Sequence, residues 1–369
     1  MGYNMIVDPD LDGIVKPVDQ MGHDWMHCIF VQGVWNLCVH LLFQSLEEIR
    51  HDVYPQLYTY VSLWSWPRRL KNGKLHEMFS QSRRKSNKEA KQFKCQASVG
   101  LSLYSIIAIW VQRCFPMTAA IAAYVALADI IDCLVCVQRG HTTPEQLLLI
   151  VERFLHLYAA CWGVESFTPK FHWLLHLPSE FDRFTTLLSC FVHERKHRML
   201  KRYCTDIRNT VTFDKSVLNE AVCHQLNRLD NDSTFNYKVG LLNPHRAGKK
   251  LATFIRNELD LSDDVPVDTS SYSKHNALTY SAVGDMVLLR ADSGDLIAGQ
   301  VLHHFGIMDE FVSVLFQYEL VELDRASGCA SWRFLDSGCI ISTGDILDSL
   351  IWCQLAEGMR RTIIPREYL

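Results

Sequence analysis

Apolar residues recur at helical spacing from residue 24 to about residue 255, and beyond residue 280 the rhythm changes to short runs of β-formers. That switch restricts the chain to an α+β fold in which a mainly α-helical region precedes a strand-rich one. The helical stretches are 25–46, 93–111, 119–137 and 145–162, with Pro55, Pro67, Pro116, Gly140 and Gly163 between them. Thr143-Pro144 and Thr168-Pro169 each place a capping residue before proline at the first helical position, and the second of these helices is expected to stop at Pro178. From Glu258 to Asp268 there are five acids and no lysine or arginine, and DTSSYSKHN closes the stretch. That composition predicts a solvated linker over 256–280. The expected domains are therefore 1–255, mainly helical, and 281–369, where VGDMVLLR, LIAGQVLHH, EFVSVLFQYELVEL and three shorter runs predict five or six strands of a small SH3-like β-barrel.

Charge separates the same two regions. Residues 281–369 hold 6 Lys+Arg against 13 Asp+Glu, leaving 31 against 28 in residues 1–280. A surface that meets a polyanion is expected in the first 280 residues, and the acidic barrel is expected to suit a protein partner. Thirteen cysteines, an odd number without framework spacing, together with an opening MGYNMIVDPDLDG that lacks signal-peptide character, predict a nuclear or cytoplasmic protein that is not secreted. The stretch 117–137 is apolar enough to suggest a membrane span. Asp129 and Asp132 share one of its faces, however, and each would cost about 2.5–3.5 kcal/mol at a bilayer centre. A core helix, and no membrane, is expected.

Four patterns bear on chemistry. His193-Glu194-Arg195-Lys196-His197 spells H-E-x-x-H, which would make His193, His197 and the downstream Glu220 zinc ligands and Glu194 the base of a metallohydrolase. Two cations inside the motif argue against a dication there. The same segment reads differently as one carboxylate, Glu194, among Arg195, Lys196, Arg198, Lys201 and Arg202. A carboxylate binds a hard cation such as Mg2+ or Mn2+ while the cations hold a phosphodiester, although a solvated amphipathic helix would carry the same composition. Asp24 and His27 lie three apart at a helix start, where they share a face. Between Arg68 and Lys94, ten Lys/Arg face two acids and include Arg83, Arg84 and Lys85, which suits either a DNA backbone or a solvated loop. His172 and His176, an i, i+4 pair in PKFHWLLH, read as core histidines before metal ligands, and the lone Cys133/Cys136 pair, without a second pair, is not expected to bind zinc or do redox work.

Taken in order, DWMHCIFVQGV, FKCQASVGLSLY, TPKFHWLLHLP and HERKHRMLKRY resemble the C-terminal half of CACTA (En/Spm-like) cut-and-paste DNA transposases. The resemblance covers about residues 20–230. It implies a remnant of an RNase H-like catalytic domain with a helical insertion, a D-x-x-H motif at Asp24 and His27, and the last catalytic carboxylate of a DDE triad at Glu194. It also implies DNA as partner, and Mg2+ or Mn2+ held by Glu194 as cofactor. Such enzymes use three carboxylates around two metal ions. The family's first two aspartates lie upstream of D-x-x-H, where this sequence offers Asp8 as a candidate for the second and none for the first. The expectation is a transposon-derived, DNA-binding protein that does not cut DNA alone, set against a zinc hydrolase and a non-catalytic interaction module.

Overall fold

The computed structural model describes residues 22–70, 73–137, 140–191, 200–205, 207, 212–230, 239–275, 279–291 and 293–369. Its helices are α1 (Trp25–Phe30), α2 (Val34–Ile49), α3 (Val53–Ser62), α4 (Gln81–Ala90), α5 (Ala97–Cys114), α6 (Ala119–Cys136), α7 (Pro144–Trp162), α8 (Pro169–Phe184), α9 (Phe213–Asp230) and α10 (Lys249–Glu258). Two compact units emerge. One comprises Met1–His51, Lys85–Tyr104 and Phe115–Arg195, the other Asp52–Arg84, Ser105–Cys114 and Lys196–Leu369. These boundaries cross the predicted 1–255 region, because residues 52–84 and 105–114 group with the strand-rich end of the chain.

In the first unit α1 packs on α2, α2 on α6, α6 on α7, α7 on α8, and α8 back on α1. The centre is aromatic: Trp35, Phe43, Phe93, Tyr124, Phe154, Tyr158 and Phe171 are all buried. Two of its polar tips are satisfied, with Trp35 Nε1 donating to the Tyr124 hydroxyl and that hydroxyl donating to the Tyr104 carbonyl. The single helix expected over 25–46 is two helices, because Gln32 turns left-handed at φ 49° and Gly33 caps α2. Thr143 caps α7 as expected: its hydroxyl accepts from the Gln146 N–H and Pro144 fills the first position. The expected stop at Pro178 is absent. Proline forfeits one backbone bond, but Pro178 and the residues after it, Glu180 and Phe181, are buried in the face that packs on α1 and α7, and α8 continues to Phe184.

Among the described residues three stretches, Trp25–Ile49, Ala97–Cys114 and Ala119–Cys136, are long and apolar enough to cross a membrane. In α6 the expected wet stripe is present: Asp129 pairs with Arg153 at 3.7 Å and Asp132 accepts from the Tyr104 hydroxyl at 2.6 Å.

Strands of the second unit are β1 (Trp64–Ser65), β2 (Gly240–Leu242), β3 (His245–Arg246), β4 (Val267–Ser270), β5 (Tyr272–Lys274), β6 (Tyr280–Ala282), β7 (Met286–Arg290), β8 (Leu296–Ile307), β9 (Glu310–Asp324), β10 (Cys329–Ser342), β11 (Ile346–Ala356) and β12 (Met359–Ile363). All pairings are antiparallel, in an α+β arrangement as expected. They run β7–β8–β9–β10–β12–β11 and return from β11 to β7, with register shifts in the β8–β9, β9–β10, β11–β12 and β7–β11 ladders that make the ring uneven. Alternation along β7 buries both faces: Met286 and Leu288 join a cluster with Trp332 and Leu350, while Val287 and Leu289 join Val301, Leu315 and Ile346. The stretch 256–280 is not a linker. It holds β4 and β5, with Val267 packed against Ile255, Phe305 and Ile307, because alternating Val, Thr and Ser residues supply a buried face that its acid count conceals. Far upstream, β1 pairs with β11, the Asp285 carboxylate accepts from the Arg68 N–H at 3.0 Å, and the Arg69 guanidinium lies 3.3 Å from the Tyr280 ring centre.

A closed hydrogen-bond ring lies inside this unit. The Thr343 carbonyl can only accept, so His275 donates to it from Nδ1 at 3.0 Å and accepts from the Ser281 hydroxyl at Nε2 at 2.8 Å. The Ser281 oxygen therefore accepts from His304 Nε2 at 3.2 Å, which leaves His304 Nδ1 to accept from the Ser313 hydroxyl at 2.8 Å. The Thr343 hydroxyl, donating to Ser313 at 2.8 Å, completes the cycle. One carbonyl thus fixes both tautomers. Burial pushes His275 down to about 4, and burial with the nearby His275 and His303 pushes His304 down to about 3, so both rings are neutral.

Candidate functional site

Asp24 is the N-cap of α1. Its Oδ1 accepts from the Met26 N–H and its Oδ2 from the His27 N–H, each at 3.2 Å, and the His27 Nδ1 also donates to Oδ2. A segment 166 positions away closes on the same carboxylate: the Cys190 N–H donates to Oδ1 at 2.8 Å. The Trp25 N–H donates to the Leu188 carbonyl at 3.1 Å, and the Phe191 ring stands 5.5 Å from Trp25 and 6.5 Å from Phe30. Burial raises the Asp24 pKa, but the bonds from the His27 ring, from the Cys190 N–H and thiol, and from the His27 N–H outweigh it and hold the carboxyl below its ordinary value. Asp24, His27 and Cys190 bring one oxygen, one nitrogen and one sulfur within 4.8 Å of one another, each partly exposed. Lys170 braces the turn from α8, its ammonium donating to the His27 carbonyl at 2.8 Å. The neighbouring Cys28 thiol donates to the Lys170 carbonyl and burial raises it to about 12, so it is protonated and inert.

Removing the Asp24 carboxylate strips the helix cap and the tie to Cys190 together. Asp24→Ala is expected to lower stability by about 1–3 kcal/mol, measured as a shift in urea midpoint.

Beside this turn lies a cluster that the sequence only half reveals. The buried Glu180 carboxylate accepts from the His23 N–H at 2.8 Å and from His23 Nδ1 at 2.5 Å, and His23 stacks on His176 at 5.3 Å. His172 and His176 are not core histidines: His172 is exposed and His176 half-buried, and their Nε2 atoms lie 3.0 Å apart. Glu180 continues their i, i+4 spacing, and that periodicity is the signal in the sequence that points to it.

Several predicted residues, namely His193, Glu194, Arg195, Lys196, His197 and Arg198, lie outside the described residues. Lys201 and Arg202 are exposed on helical residues 200–205, and Glu220 is exposed on α9. On α4, Arg83 and Lys85 point to solvent, whereas Arg84 is half-buried with its guanidinium 5.8 Å from the Tyr54 ring centre. Cys133 and Cys136 lie on α6, and no disulfide joins any of the thirteen cysteines among the described residues. Comparison with protein-family models, with curated proteins and with solved structures found no match.

Proposed function

We propose that this is a transposon-derived DNA-binding protein resembling the C-terminal part of a DDE-type cut-and-paste transposase. One observation supports the reading above the others: the D-x-x-H turn at Asp24 and His27 is hydrogen-bonded to Cys190, four positions before Glu194. A transposase active site needs that closure, because its last carboxylate returns from a long helical insertion to the remainder of the centre. On this reading residues between the two ends are the insertion, Glu194 is the ancestral Mg2+ or Mn2+ ligand, and Arg83, Lys85, Lys201 and Arg202, with the cations next to Glu194, face the DNA backbone. The C-terminal strands are then a small SH3-like barrel, and the site of action is the nucleus. Among the described residues the donor group at the turn holds one carboxylate where two-metal chemistry needs three. Strand cleavage would therefore require acids supplied from elsewhere.

The test is DNA affinity across a salt series, for wild-type protein and for a variant with Arg83, Lys85, Lys201 and Arg202 replaced by glutamine. Deleting 281–369 is unsuitable, since it would remove β7–β12 from a sheet that also contains β1 and β4. The barrel's net negative charge makes it a poor DNA reader, and neutralising its Arg325 and Arg333 is expected to leave affinity within about twofold in the same titration. A protein-interaction role for this unit is favoured by one feature, a groove of about 930 Å³ whose lining combines Leu320, Leu323 and Leu335 with Arg290, Arg325 and Glu319.

A further inference from the structure

The donor set at the Asp24 turn is the wrong chemistry for magnesium and the right chemistry for zinc. Magnesium is hard and takes oxygen ligands, whereas imidazole, thiolate and carboxylate together suit a borderline cation. In a zinc tetrahedron the bond lengths of about 2.0–2.3 Å put neighbouring ligand atoms roughly 3.3–3.7 Å apart. The oxygen, nitrogen and sulfur of Asp24, His27 and Cys190 already lie within 4.8 Å of one another.

We propose that Asp24, His27 and Cys190 form a Zn2+ site that clamps the two ends of the 24–190 stretch. Binding is balanced as an exchange: Zn2+ displaces the thiol proton of Cys190, which leaves to solvent, and forms a Zn–S bond. The His27 Nδ1–H now directed at Asp24 gives way to the Nε2–H tautomer, so that the Nδ1 lone pair meets the metal and no further proton is lost. Asp24 exchanges its hydrogen bond from the His27 ring for a shared metal ion while keeping the N–H bonds from Met26, His27 and Cys190 that orient it. One carboxylate and one thiolate neutralise the dication. The partial exposure of all three residues leaves the fourth position to water. The ligands are held before metal arrives, two by the capped first turn of α1 and the third by its own N–H on Asp24, and such preorganisation favours affinity.

The probe is Co2+, titrated into the reduced full-length protein with no nucleic acid present, followed by displacement with Zn2+. The expected result is a thiolate-to-cobalt charge-transfer band that saturates at one equivalent and is abolished by Zn2+. Cys190→Ser should remove the band, and His27→Gln should weaken binding at least about tenfold, whereas Cys28→Ser and Cys161→Ser should retain it. Circular dichroism of the metal-free variants separates lost ligation from lost folding. If Cys190→Ser proves unfolded, the wild-type protein decides the matter instead, with one equivalent of Zn2+ expected to protect Cys190 from alkylation. No thiolate band, a band that survives Cys190→Ser, or alkylation unaffected by Zn2+ would overturn the site. Because none of these readouts involves DNA, their failure leaves the proposed function standing, and the converse holds equally.

Discussion

Gly33→Ala is expected to destabilise the helical unit by about 3 kcal/mol and to disorganise the Asp24 turn with it. A Cβ at this position would collide with the Cys28 carbonyl oxygen and lie 2.5 Å from the Ile29 backbone. Backbone cannot rotate aside as a side-chain tip can, so the methyl group must push α1 away from α2. Since α1 carries His27 and is capped by Asp24, the displacement reaches the site directly. Gly100→Ala offers a contrast: its Cβ would meet the Phe30 ring at 2.6 Å, and a ring can tilt, so a loss of roughly 1–2 kcal/mol is expected. Urea midpoints for the two variants give the comparison, and equal stability of Gly33→Ala and wild type would contradict the α1–α2 geometry.

Acid is expected to unfold the strand-rich unit through its histidine ring. Both folded pKa values, about 4 for His275 and about 3 for His304, are depressed from the ordinary 6.5. A base whose folded pKa is depressed binds more protons when unfolded. The stabilisation is therefore complete above pH 6.5 and is lost progressively as pH falls toward 4 and then 3, at about 1.4 kcal/mol per unit of depression. A loss of several kcal/mol by about pH 3 follows. The His304→Gln, Ser313→Ala double variant removes one of the two acid-sensitive groups of the ring, and it is expected to be less stable at about pH 7 yet to show a flatter stability profile between about pH 6.5 and 4. Denaturant titrations across that range measure both effects, and an unchanged pH profile would show that the ring does not govern acid stability.

Features set by local chemistry are legible in the sequence. The capping residue and proline at Thr143-Pro144 mark the start of α7, and the apolar run with two acids on one face gives α6 with its wet stripe. Features that depend on distant partners are not. Nothing near Trp64 announces a strand, because β1 exists only by pairing with β11. The acids of 258–268 hide β4, whose inward residues are decided by packing on β8. Pro178 signals a stop on local grounds and is overruled by the burial of Glu180 and Phe181. Cys190 carries no signal of its own for the same reason: its proximity to Glu194 acquires meaning only through its N–H on Asp24.

Whether this chain presents a DNA-facing surface inherited from a transposase is decided by the salt dependence of its affinity for duplex DNA. Binding is expected at low ionic strength and should fall steeply with salt. The log–log slope should be smaller by up to about 3.6 when Arg83, Lys85, Lys201 and Arg202 become glutamine, near 0.9 for each phosphate contact removed. Absence of binding at low salt, or a slope unchanged by the four substitutions, would contradict the inheritance.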